Sequence, residues 1–289
     1  MLVDFIGADS VSPARYNQDE VIAKVLPYLL EVKKYGVKTI FDCTPSYLAK
    51  DPILLKKLSE QSGIQIITNT GFYGAAEGKY LPDFTFTETA EELANRWIDE
   101  FENGIGDTGI KPGFIKISVN EENPLQEVDA KLVRAAGLTH QKTSLQIVSH
   151  TGTWDTASQE VTILQEMGIA PSAFVWVHAQ AEQDFQNYMK AAKLGVWISL
   201  DGIGWSIDEY VERLLFAKEK GFLTQVLISH DAGWYDPAKA DGGDFQPFTN
   251  IFEKLMPALN AKGFDESDWK LLLVENPKKA FGISNGQIQ

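Results

Sequence analysis

Short apolar runs alternate with longer stretches in which apolar residues recur at helical spacing, and the alternation persists along the whole chain. Val21, Ile22, Val25, Leu26, Leu29 and Leu30 follow that spacing and predict a helix over about 19–35, stopped by Gly36. Strand-like runs follow at 37–43, 64–70, 113–119, 145–149, 173–177, 196–200 and 225–229. Between them the spacing predicts helices over 54–61, 89–102, 124–139, 158–167, 182–194 and 206–221, and long polar and aromatic loops at 71–86 and 233–248. Thr89 with Glu92 and Ser206 with Glu209 read as capping boxes at two helix starts.

Strands alternating with helices, with no linker or charge block between them, imply one parallel α/β domain over 1–289. A closed (β/α)8 barrel needs eight strands, and seven are evident, the first helix preceding them all. Either residues 2–6 form a short first strand, or numbering begins at a methionine just after the strand that closes the barrel.

Composition narrows the function classes. The chain has 289 residues, 44% of them hydrophobic, enough for a large core. A formal charge of −14 argues against nucleic acid or an anionic membrane as partner. Cys43 is the only cysteine, so no internal disulfide forms. The start lacks a signal-peptide pattern and no run is long enough to span a membrane, so a soluble, cytoplasmic protein is expected.

The candidate chemistry sits at strand ends. In Gly113-Phe114-Ile115-Lys116-Ile117-Ser118-Val119, alternation sets Lys116 on the face of Phe114 and Ser118. Such a lysine either reaches solvent from a strand end or, if buried, becomes a reactive amine, a Schiff-base former or a carbamylated metal ligand. His150, His178 and His230 each end a strand, and Asp231 follows the last; His140 falls at a helix end and reads as a surface residue. Any one imidazole taken alone reads rather as a satisfied, hydrogen-bonded core residue. Together with a carboxylate, three at one mouth suit zinc or another first-row divalent ion.

These motifs, Phe-Ile-Lys-Ile, Ser-His-Thr-Gly at 149–152, Val-His-Ala-Gln at 177–180, Ser-His-Asp at 229–231 and Asn276-Pro277 before Phe281, resemble the phosphotriesterase-like branch of the amidohydrolase superfamily over nearly the whole chain. The resemblance implies a (β/α)8 TIM barrel with two divalent metals bridged by a carbamylated lysine and a hydroxide. It implies Lys116 as the carbamate, His150 and His178 on the more exposed metal, and Asp231 as both ligand and catalytic proton acceptor, with His230 behind the ligands. Two departures matter. The family's His-X-His pair on the first strand is missing, so one metal or none is expected in this form, and a catalytically silent small-molecule-binding barrel stands as an alternative. Gly202 stands where phosphotriesterases place a relay histidine and lactonases an arginine.

The first expectation is therefore a metal-dependent hydrolase of lactones or carboxylate esters using a metal-bound hydroxide, with phosphotriester hydrolysis as the alternative at the same site. Tyr73, Trp205, Trp234 and Tyr235 are the candidate substrate-binding residues on the loops. Arg15 and Lys79 are the nearest loop cations. A small-molecule substrate and a homodimer complete the expected partners.

Overall fold

The structure is a computed structural model and describes residues 17–283. Residues 2–6, the expected first strand, and Arg15 lie outside the described residues.

Helix α1 (Gln18–Lys33) buries Val21, Val25, Leu29 and Val32 and is capped by the Asn17 side chain. The strands are β1 (Thr39–Phe41), β2 (Gln65–Ile67), β3 (Asn69–Thr70), β4 (Phe114–Ser118), β5 (Ile147–His150), β6 (Phe174–Val177), β7 (Trp197–Leu200) and β8 (Val226–Ile228). β1 pairs with β2, and β3 to β8 form a six-stranded sheet in chain order, every pair parallel. The run predicted over 64–70 is broken only at Thr68, so β2 and β3 occupy one strand position.

The outer face of the sheet carries α2 (Pro52–Ser62), the short α3 (Phe84–Thr87), α4 (Ala90–Asn103), α5 (Glu127–Thr143), α6 (Trp154–Glu166), α7 (Phe185–Leu194) and α8 (Ile207–Glu219). α6 begins earlier and α5 ends later than the spacing predicts. The Thr89–Glu92 box forms with both reciprocal bonds, at 3.2 and 2.8 Å. The Ser206–Glu209 box does not: Ser206 precedes α8 but its hydroxyl makes no capping bond. The chain enters α8 through Gly204 (φ 135°), where an added Cβ would stand 2.5 Å from Asn250 Nδ2. That close approach sets the entry geometry ahead of the cap.

Side chains on the two faces of the sheet separate into two cores. Ile115, Ile117, Ile147, Phe174, Trp176, Ile198, Leu200 and Val226 face the helices. Phe114, Val148, Val175, Val177, Trp197 and Leu227 form a second cluster, against which Phe41 of β1 and Ile67 of β2 pack. A flat sheet would hold β1 and β8 at opposite edges. One inner cluster joining Phe41 to Leu227 requires the sheet to curl on itself, which is the (β/α) barrel the element order predicts.

The C-terminal helix Asn276–Phe281 closes the end of the barrel where the strands begin. Asn276 Nδ2 donates to Leu223 O and Val226 O at 2.9 and 2.7 Å, and the Phe281 ring lies 4.3 Å from Phe41 and 6.0 Å from Phe114. The opposite end, where the strands finish, is left to the loops. No helix among the described residues is long and apolar enough to cross a membrane.

Candidate active site

Strand parity decides most of what reaches the barrel interior. On β4, Phe114 is an inner residue, so Lys116 follows it inward; on β5, Val148 brings His150 with it. On β8, Leu227 points inward and His230, three residues on, points out. Its Nε2 accepts from the Ile251 amide at 3.0 Å, and burial lowers its pKa to about 4. His230 thus tethers the C-terminal segment to the end of β8 and stands behind the site.

His178 breaks parity. Val177 is an inner residue, so a regular strand would send His178 toward the helices, yet its backbone is left-handed at φ 60°. That turn, which costs a β-carbon-bearing residue about 1–2 kcal/mol, swings the ring back over the barrel. His178 Nε2 then lies 2.7 Å from His150 Nδ1.

A residue outside the motifs named above holds His178 there. Asp201, the residue after β7, accepts from His178 Nδ1 at 2.6 Å and from the His178 amide at 2.9 Å, while Ser199 Oγ and Gln180 Nε2 donate to it at 2.9 Å each. Burial, the largest influence, pushes the Asp201 carboxyl up, but the His178 imidazole and the bonds to its oxygens together hold it at about 2. Asp201 is therefore an anion in the core, and His178 carries its proton on Nδ1. For His178, burial works against protonation and Asp201 prevails, raising its pKa; burial, His178 and Lys116 together lower His150 to about 2. The signal for Asp201 was present: it ends a strand, as the three histidines do.

Lys116 is 5% exposed and does not reach solvent, which removes the strand-end reading. Its Nζ donates to Ile117 O at 2.9 Å and lies 5.9 Å from the centre of the Tyr73 ring. Burial lowers its pKa, opposed by Cys43, Asp231, Asp201 and Glu160. Cys43 lies on the same inner side, its thiol pushed to about 11 by burial. Gly71 (φ 114°) lets the loop after β3 cross this point, since a Cβ there would stand 2.2 Å from Lys116 O.

The loops bring three of the four expected aromatic residues to the mouth. Tyr73 packs edge-on to His150 at 5.3 Å, and Trp205, 72% exposed, leans on Trp234 at 5.6 Å. Trp234 has φ 66°, rare for a bulky side chain, and its indole N–H is shielded without a bonding partner. Tyr235 turns away: it is buried with Val21, Leu29, Leu54 and Phe245, because Gly242 lets the chain press onto its ring. Lys79 stands over Tyr80, 5.5 Å from its ring centre. His140 is half-buried and not on the surface, its Nδ1 2.8 Å from Leu145 O.

A curled parallel sheet whose strand ends gather imidazoles, carboxylates and a buried amine is the plan of a barrel enzyme. The chain belongs to the phosphotriesterase family, whose model matches residues 1–281. It is 29% identical over 284 residues to the aryldialkylphosphatase of Saccharolobus solfataricus, covering 93% of this chain and 88% of that one. It is 26% identical over 267 residues to the N-acetyltaurine hydrolase of Dictyostelium discoideum, covering 87% and 70%. The crystal structure of the phosphotriesterase homology protein from Escherichia coli, complexed with phosphate in its active site, superposes with a TM-score of 0.82 at 26% identity, over 90% of this chain and 89% of that one. The family and the names of these relatives support a hydrolase.

Proposed function

We propose that this chain is a metal-dependent hydrolase acting on a lactone or a carboxylate ester at the mouth of the barrel. The observation that carries the reading is Lys116, a buried amine of lowered basicity on the inner face, coupled to Asp231 and to His150. The donors suit zinc or a related ion: two imidazole nitrogens meet at one point, and the far nitrogen of His178 is held by a carboxylate, the arrangement that orients metal-binding histidines. Among the described residues, no three of His, Cys, Asp and Glu are gathered tightly enough to hold an ion unaided. Lys116, carbamylated, together with Asp231 would complete the set.

An ion so held supplies polarisation of the scissile carbonyl and a nucleophile at neutral pH. The chain's own groups do the rest. Asp231 takes the proton released on attack and returns it to the leaving alkoxide. The Tyr73 hydroxyl steadies the carbonyl oxygen, and Trp205 with Trp234 holds the apolar part of the substrate. Phosphotriester hydrolysis is the second reading, favoured by the likeness to the aryldialkylphosphatase and opposed by Gly202, which brings no side chain to that side of the site.

The test is metal content per chain after purification with zinc and bicarbonate, with turnover of a lactone series, an aryl ester, an N-acetylated amine and paraoxon, in the parent and in Lys116→Ala. Bound metal and ester or lactone turnover, both lost in the variant, are expected. Paraoxon turnover equal to that of lactones favours the second reading. Neither metal nor turnover leaves the silent binding barrel.

A further inference from the structure

The Asp201 carboxylate has no acceptor capacity to spare. Its Oδ1 takes His178 Nδ1–H and Gln180 Nε2–H, and its Oδ2 takes the His178 amide and the Ser199 hydroxyl. Those are about as many bonds as a carboxylate accepts. Gln180 also binds Asp201 a second time, accepting from the Asp201 amide through Oε1 at 3.2 Å. One amide orientation alone satisfies both bonds, because the carboxylate demands the N–H and the amide demands the oxygen.

Gln180 is itself fixed from the other side. Arg213, 3% exposed on α8, donates to Gln180 O at 2.8 Å and to Glu182 O at 3.3 Å, and its Nε donates to Tyr188 Oη at 3.0 Å. Above the amide lies Gly202. A Cβ there would stand 3.3 Å from Gln180 Nε2 and 2.4 Å from Tyr210 Oη, so amide and phenol together fill the space a side chain would take. The Gln180 side chain is thus boxed between Asp201, Gly202 and the turn that Arg213 holds.

We propose that Gln180 is a positioning residue: acting through Asp201, it fixes the Nδ1–H tautomer and ring angle of His178, and hence the direction of His178 Nε2 toward His150. The effect on turnover rests on the hydrolase reading; the effect on His178 does not.

The test uses 15N-histidine-labelled full chain, in the parent, Gln180→Glu and Gln180→Met: imidazole nitrogen shifts and melting curves on the metal-free protein, and kinetics on the zinc-loaded protein with whichever ester or lactone the parent hydrolyses. Gln180→Glu keeps the shape but cannot donate to Asp201. The parent should show His178 protonated at Nδ1. In both variants that signature should shift toward mixed tautomers, with kcat about tenfold lower and KM within about twofold. Unchanged His178 shifts in two folded variants would overturn the proposal. So would a kcat loss that appears only with lost cooperativity of unfolding, which assigns Gln180 to the scaffold. A parent without turnover but with the expected His178 shifts sustains the positioning role and rejects the hydrolase reading.

Discussion

Two lysines are buried in this barrel to nearly the same degree, and they do opposite things. Lys50, its side chain 3% exposed, donates to Asn69 O at 2.9 Å and stands 3.6 Å from Glu100, whose carboxylate also accepts from Thr70 Oγ1 at 2.6 Å. Lys116 has a single backbone carbonyl at 2.9 Å, and no carboxylate of the described residues is in salt-bridge contact with it. Burial lowers the pKa of both, but at Lys50 an adjacent carboxylate opposes it directly. A buried charge with its partner in contact is a strut. One whose counter-charges stay at a distance is an amine held ready to change its chemistry.

The comparison breaks if the two lysines respond alike to removal. Lys116→Met should lower turnover by on the order of 10³-fold while leaving the melting temperature level or higher, since an unpaired buried amine is replaced by an apolar chain of similar length. Lys50→Met should do the reverse, destabilising by about 3 kcal/mol in urea titration because Glu100 loses its partner, with turnover per folded molecule unchanged.

A third buried group sharpens the same point from the acid side. Glu160 is fully buried, and its Oε1 accepts from Thr151 Oγ1 at 2.6 Å; burial, partly offset by the neighbouring hydroxyls, raises its pKa to about 8. The folded state therefore holds a proton that the unfolded state releases near pH 4.5. Stability from this group is complete below that pH and is lost as pH rises through about 8. Glu160→Gln should flatten the slope and stabilise by on the order of 2 kcal/mol at pH 8, read from urea midpoints at pH 5 and 8. The smallest contrast lies at the helix starts: Thr89→Ala should cost about 1 kcal/mol and Ser206→Ala a few tenths, by the same measurement.

Those two caps also show how far a sequence can be read. Both share the same Ser/Thr-x-x-Glu pattern, and only at Thr89 does the chain approach at an angle that lets the hydroxyl bond. At Ser206 the angle is set by Asn250 pressed against Gly204, a contact from far along the chain. The element order, the barrel and the inward position of Lys116 and His150 were legible, because they follow from alternation within one strand. Asp231 follows the outward His230 with a left-handed backbone of its own (φ 44°), which alternation along β8 does not foretell. His178 was named because it ends a strand; parity alone sends it outward, and its left-handed backbone brings it in. Asp201 carried the strand-end signal without being singled out, whereas the roles of Gln180 and Arg213 were not legible, since they exist only where separate elements meet. Nothing near Lys50 in the sequence marks it as a buried strut, because the carboxylate that pairs with it arrives on α4. Tyr235 was misplaced at the mouth for the converse reason: its core partners come from α1, α2 and the later part of its own loop.

The closure of the barrel floor by Asn276–Phe281 sets an order of events during synthesis. All the described strands leave the ribosome before Phe281 can meet Phe41 and Phe114, and before Asn276 can bind the carbonyls at the start of β8. At a translation rate of about 5–20 residues per second, the nascent sheet spends seconds with its aromatic interior open to water at one end. A ribosome stalled just short of Asn276 would leave that floor open, so the helix that ends at Phe281 is the piece on which shielding of the barrel's aromatic interior waits.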